Sequence, residues 1–248
     1  MKELKYFNQL NDYTSNKDNF EYPTVSYVEE NKEVYYKEKP EEKPYAIYRT
    51  TGDSQEVRLF GYDSDEVKNY IDKVTIEETG EVITGNSYTF ANAGDHKVYI
   101  ELNPDITDFA YIKGNGSDMV RASLFCCYEG WTGYADLNQL VLISENLFSN
   151  NTAVTNFEYT FQGCDGLTNI PANLFSNNTA VTNFDYTFAS CAGLTGTVPV
   201  NNDGTPIYNR STPGKEGYAI VTSYVNCFGN CTGLTDYSSI PSGWKELY

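Results

Sequence analysis

The sequence is poor in basic residues, and one long stretch has none. Its 248 residues include 34 Asp or Glu against 17 Lys or Arg, which gives a formal net charge of -17. Between Arg121 and Arg210 there is no Lys or Arg at all, while seven acidic residues fall there. Nucleic-acid binding needs a cationic surface that releases counterions, so this class of function is excluded and no nucleic-acid partner is expected.

Long apolar runs are also missing. No stretch of eighteen or more apolar residues occurs, so the sequence predicts no membrane span. Residues 1–20 lack the hydrophobic core of a secretory signal peptide. If the protein is extracellular, we expect that it leaves the cell by another route or that a signal was removed before this numbering.

Catalytic signatures are absent as well. The single histidine, His96, lies in "NAGDHKVYI" without a nucleophile motif around it, and we predict a solvated turn histidine. The acidic pairs Glu77 with Glu78 and Asp63 with Asp65 resemble a solvated face more than the two carboxylates of a glycosidase. The sequence therefore predicts a protein that is not an enzyme and has no cofactor.

The charge is unevenly distributed along the chain. Residues 1–110 hold 35 of the 51 charged side chains. This division and the pattern of turns predict three segments: an extended or hairpin attachment segment at 1–43, a small β domain at 44–110 and a repeat region at 111–248.

Short alternating runs between turn signals predict strands in the first two segments, and together a small β-sandwich-like domain. Helix is expected only near 2–11 and 64–72. The predicted strands are a hairpin of 22–28 with 33–37, followed by 45–51, 56–62, 73–78, 81–90 and 96–102.

The repeat region contains two nearly identical units. Residues 147–173 and 174–200 agree at 18 of 27 positions without a gap. Their common frame is an aromatic residue, a cysteine three later and a leucine three later again. The frame appears at Phe161, Cys164 and Leu167, at Phe188, Cys191 and Leu194, at Phe228, Cys231 and Leu234, and in a degenerate copy at Tyr134, Leu137, Leu140 and Ile143.

A unit of this length cannot bury its own apolar side, so such units are expected to stack as a solenoid. The frame "TFQGCDGLTNIP" resembles the leucine-rich repeats of the BspA-like (Treponema-type) group. The resemblance implies a mainly β protein that ends in a short leucine-rich-repeat-type solenoid, with units near 134, 161, 188 and 228.

A second resemblance concerns the order of segments. "YPTVSYVEENKEVYY", then a β domain ending in "GDHKVYIEL", then these repeats, is similar to proteins of gut Bacteroidales and their phages or prophages. This resemblance implies an attachment or structural segment followed by a display module. It would also explain a missing signal peptide, because virion proteins leave by lysis.

Three of the six cysteines share one repeat position. Cys164, Cys191 and Cys231 are therefore predicted to form a buried ladder. We favour free thiols packed as small hydrophobic groups, although one strand spacing between neighbouring units would also permit a disulfide. Among possible metal ligands only Cys227 and Cys231 come close to the short spacing that a metal site needs, and no metal site is predicted.

The candidate partner-binding residues also come from equivalent positions. Tyr159 and Tyr186 occupy one position, beside Glu158 and Asp185. If the tyrosines point outward, they form a strip edged by carboxylates that suits protein or sugar contact; the alternative is that they pack against the next unit. We assign Phe157, Phe161, Phe184 and Phe188 to the core and Trp131 and Trp244 to the ends of the array.

These observations predict a non-catalytic extracellular display protein that contacts a protein or a cell-surface glycan receptor. It would be a phage or prophage virion fibre or decoration component, or a bacterial surface adhesin. The N-terminal region is expected to anchor it or to form a homo-oligomer. The alternative is a glycan-binding accessory module or a glycan-active enzyme of gut bacteria.

Overall fold

The computed structural model describes residues 5–7, 34–36, 42–62, 64–113, 120–129, 138–210 and 217–246. This described part is mainly β with few helices, which confirms the fold class at that level. The chain divides into two compact units, Met1–Glu42 and Lys43–Tyr248.

In the first unit, strand β1 (Lys5–Phe7) pairs antiparallel with β2 (Val34–Tyr36), with Tyr6 opposite Tyr35. The strand predicted at 33–37 is therefore present. The helix predicted near 2–11 is wrong at Lys5–Phe7, because aromatic and β-branched side chains favour pairing across a ladder. The other predicted arm of the hairpin, 22–28, lies outside the described residues.

The second unit begins with short strands at the predicted places, and its first helix coincides with the one predicted at 64–72. In chain order the strands are β3 (Tyr45–Thr50), β4 (Gln55–Arg58), β5 (Ile71–Ile76), β6 (Val82–Ile83), β7 (Ser87–Phe90), β8 (Gly94–Leu102), β9 (Tyr111–Lys113), β10 (Val120–Ser123), β11 (Cys126–Glu129) and β12 (Leu140–Ile143). The helices are α1 (Ser64–Tyr70), α2 (Ser242–Lys245) and 3-10 turns at Ile207–Asn209 and Tyr237–Ser239.

The largest sheet has the strand order β12-β3-β8-β5-β6, and each neighbouring pair is antiparallel. Its outermost strand β12 pairs with β3, so that Leu140 lies opposite Tyr48. The sheet therefore takes strands from both sides of the boundary predicted at 110/111. That boundary stays a prediction, but the two segments share one sheet.

The same unit contains two smaller sheets, the β4-β7 ribbon and the β11-β10-β9 sheet. Two buried tyrosines tie this part together through their hydroxyl groups. Tyr48 donates to the carbonyl of Leu59 at 2.6 Å and Tyr62 donates to that of Phe109 at 2.7 Å. Burial raises the pKa of both phenols, so both remain donors at neutral pH.

The repeat units lie side by side along the rest of the chain. Isolated parallel bridges join Asp108 to Asn156, Asn156 to Asn183 and Asn183 to Ser223. The two nearly identical units, 147–173 and 174–200, are called the crisp units below. Alternate backbone N–H groups of the first donate to backbone carbonyls of the second: Phe157 to Asn183, Tyr159 to Asp185, Phe161 to Thr187 and Gly163 to Ala189. Equivalent residues of successive units are thereby held next to each other.

One glycine per unit makes this close approach possible. A Cβ at Gly193 would lie 2.2 Å from the carbonyl oxygen of Asp165, and one at Gly233 would lie 2.3 Å from that of Leu194. Gly166 meets Asn138 in the same way. A side chain at this position would push the units apart, since real Cβ contacts are longer than this.

Different aromatic residues cover the two ends of the row of repeat units. At the C-terminal end Trp244 is buried, its ring stacks on Tyr224 and its carbonyl accepts the N–H of Phe228 at 2.8 Å. This agrees with the position predicted for Trp244, while Trp131 lies outside the described residues. At the other end Phe125, at the β10–β11 turn, stacks on Phe161.

Tyr134, the aromatic residue predicted for the degenerate unit, lies outside the described residues. The four phenylalanines assigned to the core, by contrast, are fully buried, which confirms that assignment: Phe157, Phe161, Phe184 and Phe188.

Candidate functional site

The two candidate tyrosines occupy a turn with an unusual backbone. Tyr159 has φ 60° and Tyr186 has φ 53°, and Asn226 at the equivalent place in the next unit has φ 55°. The left-handed conformation costs about 1–2 kcal/mol for a residue with a side chain. The bonds from Tyr159 N–H to Asp185 and from Tyr186 N–H to Val225, at 3.0 and 2.9 Å, hold it in place.

The rings of Tyr159 and Tyr186 stack on each other, with centroids 5.1 Å apart and planes 20° apart. Tyr159 is 9% exposed and Tyr186 is half-buried. Contact between units and access to solvent thus occur together at this position, and Tyr186 offers the larger accessible surface. The role of the pair in partner binding stays a prediction.

The two acidic neighbours differ in their surroundings. Asp185 is half-buried, and its carboxylate accepts hydrogen bonds from the Ser223 hydroxyl and the Val225 N–H, both at 2.5 Å. This carboxylate therefore joins the second crisp unit to the next one. Glu158 is half-buried too, and its N–H donates to the Asn156 side chain. The sequence could not reveal that Asp185 is engaged within the chain.

The predicted cysteine positions are buried in a regular array. Cys164, Cys191 and Cys231 each direct the thiol at the carbonyl of a phenylalanine one unit earlier, with sulfur to oxygen distances of 3.2, 2.9 and 2.9 Å. All three are free thiols. Burial raises the pKa of each, to about 12 for Cys231, so the groups are unreactive donors and not nucleophiles.

An additional polar ladder, missed at the sequence level, runs beside this core. The Asn178 amide donates to the carbonyls of Phe148 and Asn151, and the Arg210 guanidinium donates in the same way to those of Phe175 and Asn178. Arg210 is 1% exposed, and burial lowers its pKa to about 10. The identical positions of Asn151 and Asn178 in the repeat were a usable signal. Arg210 breaks the pattern, because it lies within an insertion between Phe188 and Phe228, which are 40 rather than 27 residues apart.

His96 contradicts its prediction. It is 4% exposed within β8 and stacks on Phe90, so it is not a solvated turn residue. One ring nitrogen lies 2.5 Å from the Glu78 carboxylate and the other 2.9 Å from the Thr50 hydroxyl. The prediction failed because those partners come from distant parts of the sequence.

The Thr50–His96–Glu78 arrangement resembles a hydrolase triad only in its connectivity. The Thr50 hydroxyl donates to the carbonyl of Asn92 at 3.1 Å and accepts from the N–H of Gly94. The Thr50 side chain is buried, so its hydroxyl has no open approach for a substrate. A nucleophile needs an open approach, so we assign Thr50 and His96 to the core and the exposed Glu78 to its edge.

In the part of the chain that the structure describes, no cluster of three or more His, Cys, Asp or Glu is placed to hold a metal ion. Within the same residues, no helix has the length and apolar character to cross a membrane. Comparison of the chain with protein-family models, curated proteins and solved structures finds no match. The resemblance to BspA-like repeats therefore rests on the sequence motif.

Proposed function

We propose that the protein is a non-catalytic extracellular recognition protein. In this proposal residues 111–248 form a short leucine-rich-repeat-type solenoid that contacts the partner. A small β-sandwich-like domain precedes it, and the N-terminal segment anchors or oligomerises the chain. The partner is a protein or a cell-surface glycan receptor.

The observation that carries the proposal is a row of equivalent threonine side chains along the repeat units. Threonine hydroxyls donate from each unit to the one before it: Thr155 to Thr107 at 3.1 Å, Thr182 to Thr155 at 3.4 Å and Thr222 to Thr182 at 3.4 Å. Thr155 and Thr222 are exposed and Thr182 is half-buried. A fixed row of equivalent groups favours recognition, because each additional contact along the row adds avidity.

The tyrosine pair gives this surface its aromatic component. Tyr186 is half-buried and its ring stacks on that of Tyr159. It presents a rigid apolar face with a polar hydroxyl at its tip. The acidic composition of the chain favours an uncharged or basic partner over an acidic one. The setting we propose is the surface of a virion or of a bacterial cell.

The proposal is tested by binding of the fluorescently labelled full chain to intact cells of gut Bacteroidales strains and to cultured epithelial cells. We expect saturable binding that Tyr186→Ala weakens and that Ile220→Ala, a change at a 70% exposed residue of the last unit, leaves unchanged. Release of reducing sugar from cell-surface glycans by the unlabelled chain would contradict the non-catalytic assignment.

A further inference from the structure

A groove lies between equivalent segments of neighbouring repeat units. These segments do not contain Tyr159 or Tyr186. One side comes from residues 145–149 and the other from 173–177. The lining is formed by Glu145, Asn146, Ser149, Asn173, Ser176 and Asn177, together with Leu174. Leu174 is 2% exposed, while Glu145, Asn173 and Asn177 are exposed.

The lining has the hydrogen-bonding capacity that sugar hydroxyls require. Asparagine amides and serine hydroxyls both donate and accept, and each sugar hydroxyl does the same. The groove also carries Glu145 in a part of the sequence without any Lys or Arg. An acidic ligand would meet a like charge there, and no Lys or Arg is among the lining residues to compensate it, so an anionic ligand is disfavoured.

The next junction of the array shows a ring hydroxyl bonded at the equivalent position. Ser149 and Ser176 are equivalent residues, and the carbonyl of Ser149 accepts from the Asn177 amide at 3.4 Å. The carbonyl of Ser176 accepts instead from the hydroxyl of Tyr218 at 3.4 Å, and this hydroxyl accepts from the Asn202 N–H at 3.3 Å. A six-membered ring with a hydroxyl group thus meets the equivalent carbonyl within this same chain.

From the polar lining, the missing positive charge and the Tyr218 precedent, we propose that the groove between the two crisp units binds an uncharged sugar ring of a glycan. The inference rests on the proposed recognition function and names a partner class for it. Asn173 and Asn177 bind the ring hydroxyls.

The test is an NMR titration of the 15N-labelled full chain with methyl β-glucoside, methyl β-galactoside and N-acetylglucosamine up to tens of millimolar. We expect at least one of them to shift the side-chain amide signals of Asn173 and Asn177 in a saturable way. Asn173→Ala should raise the dissociation constant about tenfold, and Asn209→Ala, at an exposed asparagine outside the groove, should not. Glucuronic acid should bind about tenfold more weakly than the neutral sugars.

The proposal is overturned if none of the three sugars shifts these amides, or if Asn173→Ala and Asn209→Ala behave alike. N-acetyltyrosinamide serves as a probe for a tyrosine side chain of a protein partner. If it shifts the groove amides and the sugars do not, the occupant is a protein and the glycan assignment is wrong.

The two proposals fail separately. Cell binding that persists in Asn173→Ala but is weakened in Tyr186→Ala, with no sugar response, removes the groove as the contact and leaves the recognition function standing. A sugar response without any binding to cells supports the groove and contradicts the proposed function.

Discussion

The rings of Phe161 and Phe188 lie parallel, with centroids 5.1 Å apart and planes 2° apart. The stack continues from Phe125 before them to Phe228 after them, at 5.3 and 5.6 Å. Parallel rings at this spacing show that equivalent core residues of neighbouring units lie directly against each other in the same orientation. The same arrangement brings equivalent surface residues into rows, so the core packing and the repeated outer surface have one cause.

Phe188 is the inner ring of this stack, and its removal should destabilise the protein strongly. Phe188→Ala leaves a cavity between Phe161 and Phe228, for which a loss of about 3–5 kcal/mol in the free energy of unfolding is expected. Urea denaturation followed by tryptophan fluorescence measures it. The control is Ile220→Ala, where the side chain is 70% exposed and a change below about 0.5 kcal/mol is expected.

Gly193 should not tolerate a side chain. Gly193→Ala places a Cβ 2.2 Å from the carbonyl oxygen of Asp165 in the preceding unit, and we expect a loss of about 2 kcal/mol or more. Gly52→Ala is the matched control, because its new methyl group meets nothing within 4 Å. Equal melting temperatures for the two variants would contradict the close packing of the units.

The N-terminal unit should control assembly. We expect light scattering coupled to size-exclusion chromatography to give the full chain a multiple of its 27.9 kDa mass and residues 43–248 the mass of a monomer. The cut is placed at 43 because β3 and β12 pair within that unit. A monomeric full chain would remove the N-terminal region as an oligomerisation element.

The repeat frame could be predicted because its spacing is local. The pattern of Phe161, Cys164 and Leu167 recurs with the same three-residue steps in each copy. Because such units must stack, there are few ways to place them. The degenerate copy is partly visible, since Leu140 and Ile143 are buried as the frame requires. The expectation of short strands in 45–102 also relied on local alternation and turn residues.

The remaining features depend on contacts that spacing along the chain does not encode. Phe125 stacks on Phe161 from the β10–β11 turn, outside the repeat register. Arg210 continues an asparagine ladder from within an insertion. His96 is buried because Thr50 and Glu78 lie on separate elements that meet it only in the folded chain.

The buried thiols predict a loss of stability at alkaline pH. Unfolded cysteines ionise near pH 9, whereas burial raises the pKa of Cys164, Cys191 and Cys227 well above that value and that of Cys231 to about 12. Above pH 9 the unfolded chain therefore binds fewer protons than the folded chain, and the free energy of unfolding falls as pH rises. Tyr48 and Tyr62 act in the same direction from about pH 10.

Each thiol should contribute up to about 1.4 kcal/mol per pH unit to this fall. The measurement is urea denaturation under reducing conditions at pH 7.5 and at pH 10, on the wild type and on Cys191→Ala. Because the variant lacks one ionising thiol, its loss between the two pH values should be smaller by about 1 kcal/mol. Identical losses would mean that Cys191 is exposed enough to ionise in the folded chain, and rapid reaction of the native protein with a thiol reagent would then be seen as well.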